Sequence, residues 1–449
     1  MHRFGVLLAT LLLAVASAAP AMALDPPAID PAAVPPDRTG PDQPTEQHRG
    51  VCAVPAVFPD ANFADRPWAA DYLRLTEAHR FATGAGVTVA VIDTGVNASA
   101  RVPAEPGGDF VGATGDGLSD CDAHGTLTAS LIAGRPAPAD GFVGVAPEAR
   151  ILSLRQTSDA FRPVGLRPDP NDPNTTQTAG SLRSLARAVV HAANLGAQVI
   201  NISEAACYKI TRPIDEASLG AAVHYAVQVK NAVVVAAAGN TGQDCAQNPP
   251  PDPATPADPR GWQQVQTVVS PAWYSPLVLT VGSIARNGQP STLSMSGPWV
   301  GAAAPGEHIT ALGYDGNPVD ALHGQDGLVP LAGTSFAAAF VSGLAALLRQ
   351  RFPDLTAAQI VNRITATARH PGGGADNFVG AGVIDPVAAL TWDVPDGPAQ
   401  APYRVKEVPP PVQIPPPDRG PITLVVLTGL GVAAVLGIVA LTRRALRRR

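Results

Sequence analysis

Val89-Ala90-Val91-Ile92-Asp93-Thr94-Gly95-Val96 is a short apolar run that ends abruptly in a carboxylate and a turn. The run, read from Val87 to Ile92, lacks polar alternation, so as a strand it is buried on both faces, as in a parallel sheet covered on either side by helices. Ile151 to Leu154, Gln198 to Ile202, Val233 to Ala237 and Leu277 to Val281 read the same way. Helical patterns lie between them. Ser181 to Leu195 sets Leu182, Leu185, Ala186, Val189, Val190 and Ala193 on one face and stops at Gly196. A second helix is predicted over Glu216 to Val229, and Thr356 to Gln359 has capping-box form ahead of Ile360 and Ile364. This alternation predicts an α/β fold: a mostly parallel sheet with helices on both faces. In such a sheet functional groups collect at the carboxyl ends of the strands, where Asp93 falls.

The chain around this core has 449 residues, 46% of them hydrophobic and 15% charged, which excludes a disordered polyelectrolyte and allows a sizeable core. Its formal charge is −6, and −12 once the six arginines at the two ends are set aside, which argues against nucleic acid as partner. Met1-His2-Arg3, an apolar run from Phe4 to Ala18 and Ala21-Met22-Ala23 form a signal peptide over residues 1–23. A Pro-rich extension (24–72) follows, then the α/β domain (73–395) and a second Pro-rich segment (396–421) that serves as a semi-rigid spacer. Ile422 to Leu441 is long and apolar enough to span a bilayer, and the tail 442–449 carries Arg443, Arg444, Arg447, Arg448 and Arg449, the mark of the cytoplasmic side. The expectation is a single-pass type I protein of the cell membrane with its bulk outside the cytoplasm. The extension has too few apolar residues to be a compact folding propeptide and is expected to stay part of the folded domain. Two long segments, 156–180 and 241–276, read as surface insertions. Cys52, Cys121, Cys207 and Cys245 all fall in the exported part, which predicts two disulfides with three connectivities open.

Four short motifs carry chemistry. Asp93, taken alone, reads equally well as a turn-forming residue before Gly95. Asp-Thr-Gly also occurs in aspartic proteases, but those need two carboxylates sharing a proton and the chain holds no second copy. Asp122-Ala123-His124-Gly125-Thr126 puts a histidine at the start of a small-residue helix. Gly333-Thr334-Ser335-Phe336-Ala337 opens a long apolar helix; Ser335 could simply cap it, or be a nucleophile at its electropositive end. Ala236-Ala237-Ala238-Gly239-Asn240 ends a buried run in an amide.

In chain order these residues run Asp, His, Ser, the order of the subtilisin triad. Gly144-Val145-Ala146-Pro147 and Ala304-Pro305-Gly306 support the match, and over residues 73–395 the chain resembles the subtilisin-like serine proteases. With its leader, Pro-rich extension, insertions and anchor it further resembles the mycosins, membrane-anchored proteases of mycobacterial type VII (ESX) secretion systems. The resemblance implies Ser335 as nucleophile, His124 as general base, Asp93 as its orienting partner and Asn240 as oxyanion donor. It implies that Ser203, Glu204 and Ala205 pair with the substrate backbone, and that Ala237, Ala238 and Gly239 help line the pocket. The chain departs from the common pattern at Leu127, Ala339 and Phe340, and Ala205 and Glu204 alter the pocket, so slow, selective cleavage is expected. No cofactor is implied, and no carboxylate cluster has calcium-loop spacing, so no metal is assigned.

Two functions follow from the resemblance. One is a serine endopeptidase cutting secreted protein substrates at the outer face of the membrane. The other is a structural cap that stabilises the membrane components of the secretion complex, with peptidase activity dispensable for export. For the cysteines, Gln198 to Ile202 and Val233 to Ala237 should be neighbouring strands because one helix connects them. Cys207 and Cys245 then emerge side by side, which leaves Cys52 for Cys121 and ties the extension to the loop carrying His124. That second bridge is expected to matter most for docking the extension.

Overall fold

All five apolar runs become strands of one parallel sheet. The computed structural model describes residues 24–448, apart from 49, 51, 166, 168, 170–176, 212, 213, 243, 244, 325 and 407–419. The expected signal peptide, half of the spacer and Arg449 therefore lie outside the described residues. The sheet has seven strands: β1 (Thr88–Asp93), β2 (Ala104–Asp109), β3 (Arg150–Arg155), β4 (Val199–Ile202), β5 (Val233–Ala237), β6 (Val278–Ile284) and β7 (Val300–Pro305). Their order is β7-β6-β5-β4-β1-β3-β2, every pairing parallel. As expected from continuous apolar runs, β4, β5 and β6 are buried along their whole length. Two strands escaped the sequence reading. Ala104–Asp109 holds Pro106, Gly107 and Gly108 and sits at an edge, while Val300–Pro305 is half alanine at the other edge.

The helices follow their sequence patterns. α1 (His124–Ala133) and α4 (Thr334–Arg351) are buried almost all round, the condition for helices without a polar face. α2 (Leu182–Asn194) is amphipathic and opens on a capping box between Ser181 and Ser184. α3 (Ala217–His224) is shorter than predicted, because the backbone widens into a π-helical turn over Tyr225–Val229. α5 (Ala357–Ala366) begins with the capping box of Thr356 and Gln359.

The segment 241–276 departs from the expectation of a surface insertion. Its Thr267–Ser270 stretch is a buried strand that pairs antiparallel with Ala206–Lys209. The reason is apolar burial: Val268 and Val269 join Ala238, Met295 and Trp299 in a second core beside the main one. Buried Asn248 serves the backbone there, donating to the carbonyls of Thr267 and Ser296, each at 2.9 Å.

The extension is wound along the domain in three short pairings. Ala28–Ile29 runs parallel to Arg404–Val405, Thr45–Gln47 antiparallel to Phe161–Pro163, and Pro55–Ala56 antiparallel to Ala321–Leu322. Between them, buried Arg187 of α2 donates to the carbonyls of Arg38 and Gly40 and pairs with Asp42 at 2.7 Å. Cys52 is bonded to Cys121 and Cys207 to Cys245. The extension is thus anchored at many points, Ile29 reaching the core, and does not hang on the Cys52 bridge alone.

Residues 406–448 form a separate unit. Its helix, Gly420–Leu446, contains the apolar stretch Val425–Leu446 and carries Arg443 and Arg444 in its last turn.

Candidate active site

Parallel strands deliver their ends to one edge of the sheet, and the four motifs converge there. Asp93 is the last residue of β1 and fully buried. Its Oδ1 accepts from the Thr94 amide at 2.7 Å and lies 2.7 Å from Nδ1 of His124. Nε2 of His124 in turn lies 2.9 Å from Oγ of Ser335, which is 4% exposed. Three side chains from β1, α1 and α4 thus form one continuous hydrogen-bonded line.

The local structure that aims His124 is unusual. Ala123 sits in the left-handed region at φ +68°, and its side chain supplies no cap to α1. The cap comes from Asp120 instead. One oxygen accepts from the amides of Asp122 and Ala123 and from the Thr94 hydroxyl; the other accepts from the amide and hydroxyl of Thr126. Thr94 Oγ1 completes the link by accepting from the Gly125 amide at 2.9 Å. Burial pushes the Asp120 carboxyl up to about 6, against the bonds from Thr126 that favour its charge. Gly125 is required by close approach, since a Cβ there would meet the Gly95 carbonyl at 2.0 Å. Asp120 was not singled out in the sequence. Its signal is faint: an acidic residue four positions ahead of a histidine that opens a helix.

Ser335 is placed from two sides. The Gly333 amide donates to the Gly306 carbonyl at 2.8 Å, which gives Ala304-Pro305-Gly306 its part in the site. Asn240 follows β5, and its Oδ1 accepts from the amide and hydroxyl of Thr334 at 2.9 and 3.1 Å. That fixes the amide's orientation and leaves its Nδ2 donors on the side of Gly333 and Ser335. Beneath, buried Asn201 of β4 donates to Ser203 Oγ at 2.7 Å and accepts from Ser342 of α4 at 2.8 Å. Asn201 too was missed by sequence reasoning, being polar inside an apolar run.

The remaining predicted residues surround this line. Glu204 is half-buried, and one of its oxygens, one of Asp93 and a ring nitrogen of His124 lie within 4.8 Å of one another. Ala205 is half-buried against the second core, Ala237 and Ala238 are buried, and Gly239 turns the chain toward Asn240 at φ +91°. Leu127 and Ala339 are fully buried, so these departures from the common pattern are core positions.

The electrostatics suit proton transfer. Burial alone would lower the pKa of His124. The Asp93 carboxylate, by charge and by hydrogen bond, outweighs it, and with Glu204 and Asp120 raises the pKa well above the ordinary 6.5. These contacts stabilise the imidazolium, the state the ring reaches once the hydroxyl proton has moved to it. Asp93, His124 and Glu204 are also the one group among the described residues placed to share a metal ion, and an ion there would compete with the bonds just described.

The pattern of the Subtilase family matches residues 84–382. Mycosin-1 of Mycolicibacterium smegmatis is 77% identical over 407 residues, 91% of this chain and 90% of that protein. A crystal structure of MycP1 from the ESX-1 type VII secretion system is 78% identical, with a TM-score of 0.83 over 85% of this chain and all of that one. A chain in the structure of an intact ESX-5 inner membrane complex is 48% identical, with a TM-score of 0.79 over 94% of this chain and all of that one.

Proposed function

The chain belongs to the subtilase family and, within it, to the mycosins, and from that premise we propose that Ser335, His124 and Asp93 are its catalytic triad. It is a subtilisin-like serine protease, and one observation carries the assignment of roles: the unbroken line from Asp93 through His124 to Ser335. Ser335 Oγ attacks the scissile carbonyl as His124 Nε2 takes its proton. Asp93 holds the ring's tautomer and stabilises the imidazolium. The oxyanion that forms is met by Nδ2 of Asn240 and the amide of Ser335, at the N-terminus of α4. His124 then returns the proton to the leaving amine, and water reverses the sequence to free the acyl group. Ser203, Glu204 and Ala205 on one side and Ala237 to Gly239 on the other would form the walls that hold the substrate backbone.

The substrate class is secreted protein, cut outside the cytoplasm. A type I topology is supported by the apolar helix followed by clustered arginine. Serine-directed phosphonate labelling tests the triad. Ser335 should be labelled in the wild type and not in a folded His124→Ala variant, because an isolated hydroxyl is a poor nucleophile. Equal labelling of both would remove the assignment.

A second role is favoured by a specific observation, the likeness to a chain of the ESX-5 inner membrane complex over 94% of this one. The protein would also brace the membrane components of its own secretion complex. Ser335→Ala separates the two roles: assembly and export without cleavage would show bracing to be independent of catalysis, while loss of export would tie it to the peptidase.

A further inference from the structure

Glu216 immediately precedes α3 and is 5% exposed, yet its side chain does not cap the helix. Asp215 serves there instead, accepting from the Ala217 amide at 3.2 Å. The Glu216 carboxyl turns elsewhere. One oxygen accepts from the Tyr208 hydroxyl; the other accepts from the Ser270 hydroxyl and, at 3.4 Å, from the Trp273 indole. No cation pairs with it among the described residues, so neutral donors alone offset its burial. Burying an acid in this way is costly unless each donor stays in place, so the group holds its donors as firmly as they hold it.

Tyr208 and Ser270 belong to the two strands of one antiparallel ribbon. Ala206 pairs with Ser270, Cys207 with Val269 and Tyr208 with Val268. Alternation sets Tyr208 and Ser270 on one face and Cys207 on the other. Glu216 therefore pins the ribbon from one face, and the bridge from Cys207 to Cys245 pins it from the opposite one. The strand Ala206–Lys209 begins directly after Ser203, Glu204 and Ala205, one wall of the proposed cleft. α3 leads on into β5, whose end supplies the other wall, Ala237 to Gly239.

We propose that Glu216 sets the spacing of these two walls and so governs how the acyl side of a peptide substrate is gripped. It is a positioning residue that acts through Tyr208 and Ser270, and the proposal rests on the triad and wall readings above. None of its hydrogen bonds goes to Asp93, His124 or Ser335. Cutting the tie should let the wall at 203–205 drift from its counterpart. The line from Asp93 through His124 to Ser335, carried by β1, α1 and α4, should stay intact.

Two probes separate grip from reactivity, each read as a second-order rate of Ser335 labelling on the full chain in detergent at fixed pH. A fluorophosphonate with a plain alkyl chain asks only whether Ser335 is reactive. A diphenyl phosphonate carrying a tri-alanyl peptide must also lie between the walls. Glu216→Ala should slow the peptide probe about tenfold and the alkyl probe less than about twofold. Glu216→Gln, of the same shape and still able to bond Tyr208 and Ser270, should restore the peptide probe to within about threefold of wild type. Tyr208→Phe removes one hydroxyl and keeps the ring packed; it should slow the peptide probe about threefold, and it carries the test if Glu216→Ala does not fold. Equal slowing of both probes, or no slowing of the peptide probe, overturns the proposal and leaves the triad standing. Labelling of the wild type by the alkyl probe alone removes the wall reading, and labelling by neither removes the triad; the proposal falls with either.

Discussion

The sheet edge that carries the proposed triad and the extension wound about the domain are held by different physics. At the edge, strands are buried end to end, α4 is buried almost all round, and each functional side chain is fixed by at least one buried polar partner. The extension is held by pairings of two or three residues, one bridge and a few charged contacts, several of them exposed. Apolar burial supplies stability in bulk and tolerates little displacement. Separate polar clasps supply it in small parcels that can fail singly. A change at the edge should therefore register in chemistry, and one in the extension in local stability.

The largest effect tests the edge. Asp93→Asn should lower peptide hydrolysis by about 10⁴-fold through the wrong histidine tautomer, with an unchanged thermal melt. A matching fall in Tm would show that Asp93 holds the fold as well as the ring. Next, Asn240→Ala should cost about 10²–10³ in kcat, with KM little altered; a KM effect alone would move Asn240 to substrate binding. For the extension, replacing Cys52 and Cys121 together with serine removes a link across 69 residues. That should cost up to about 4 kcal/mol, read as protease sensitivity of residues 24–66. Labelling of Ser335 should fall less than about tenfold, because Asp120 still caps α1. A collapse of labelling would mean the bridge, and not Asp120, aims His124. The smallest effect is at Glu46, paired with Arg162 at 2.7 Å with both side chains half exposed or more. Glu46→Ala should cost less than about 1 kcal/mol by chemical denaturation.

The same contrast explains what could be read from the sequence. Five of the seven strands announce themselves because burial on both faces demands unbroken apolar runs. Ala104–Asp109 and Val300–Pro305 do not, because an edge strand can be built from Gly, Pro and Ala, where backbone pairing outweighs side-chain preference. The placing of Asp93, His124, Ser335 and Asn240 at one sheet edge was legible because each lies at or just beyond the end of an element there. Asp120 and Asn201 were not: each works through backbone and buried hydrogen bonds that only tertiary structure creates. Val268 and Val269 were lost inside a Pro-rich segment whose composition hides a core strand.

The pairing of Ala28–Ile29 with Arg404–Val405 has a temporal meaning. If the chain is exported as proposed, it emerges from its amino end, so Ile29 is outside long before the strand it must join. Through all of that interval its strand edge lacks a partner, and only Arg404 and Val405 supply it. The domain is latched by its own tail end. A chain stopped short of residue 404 could assemble every strand of the central sheet and still leave its first segment unlatched.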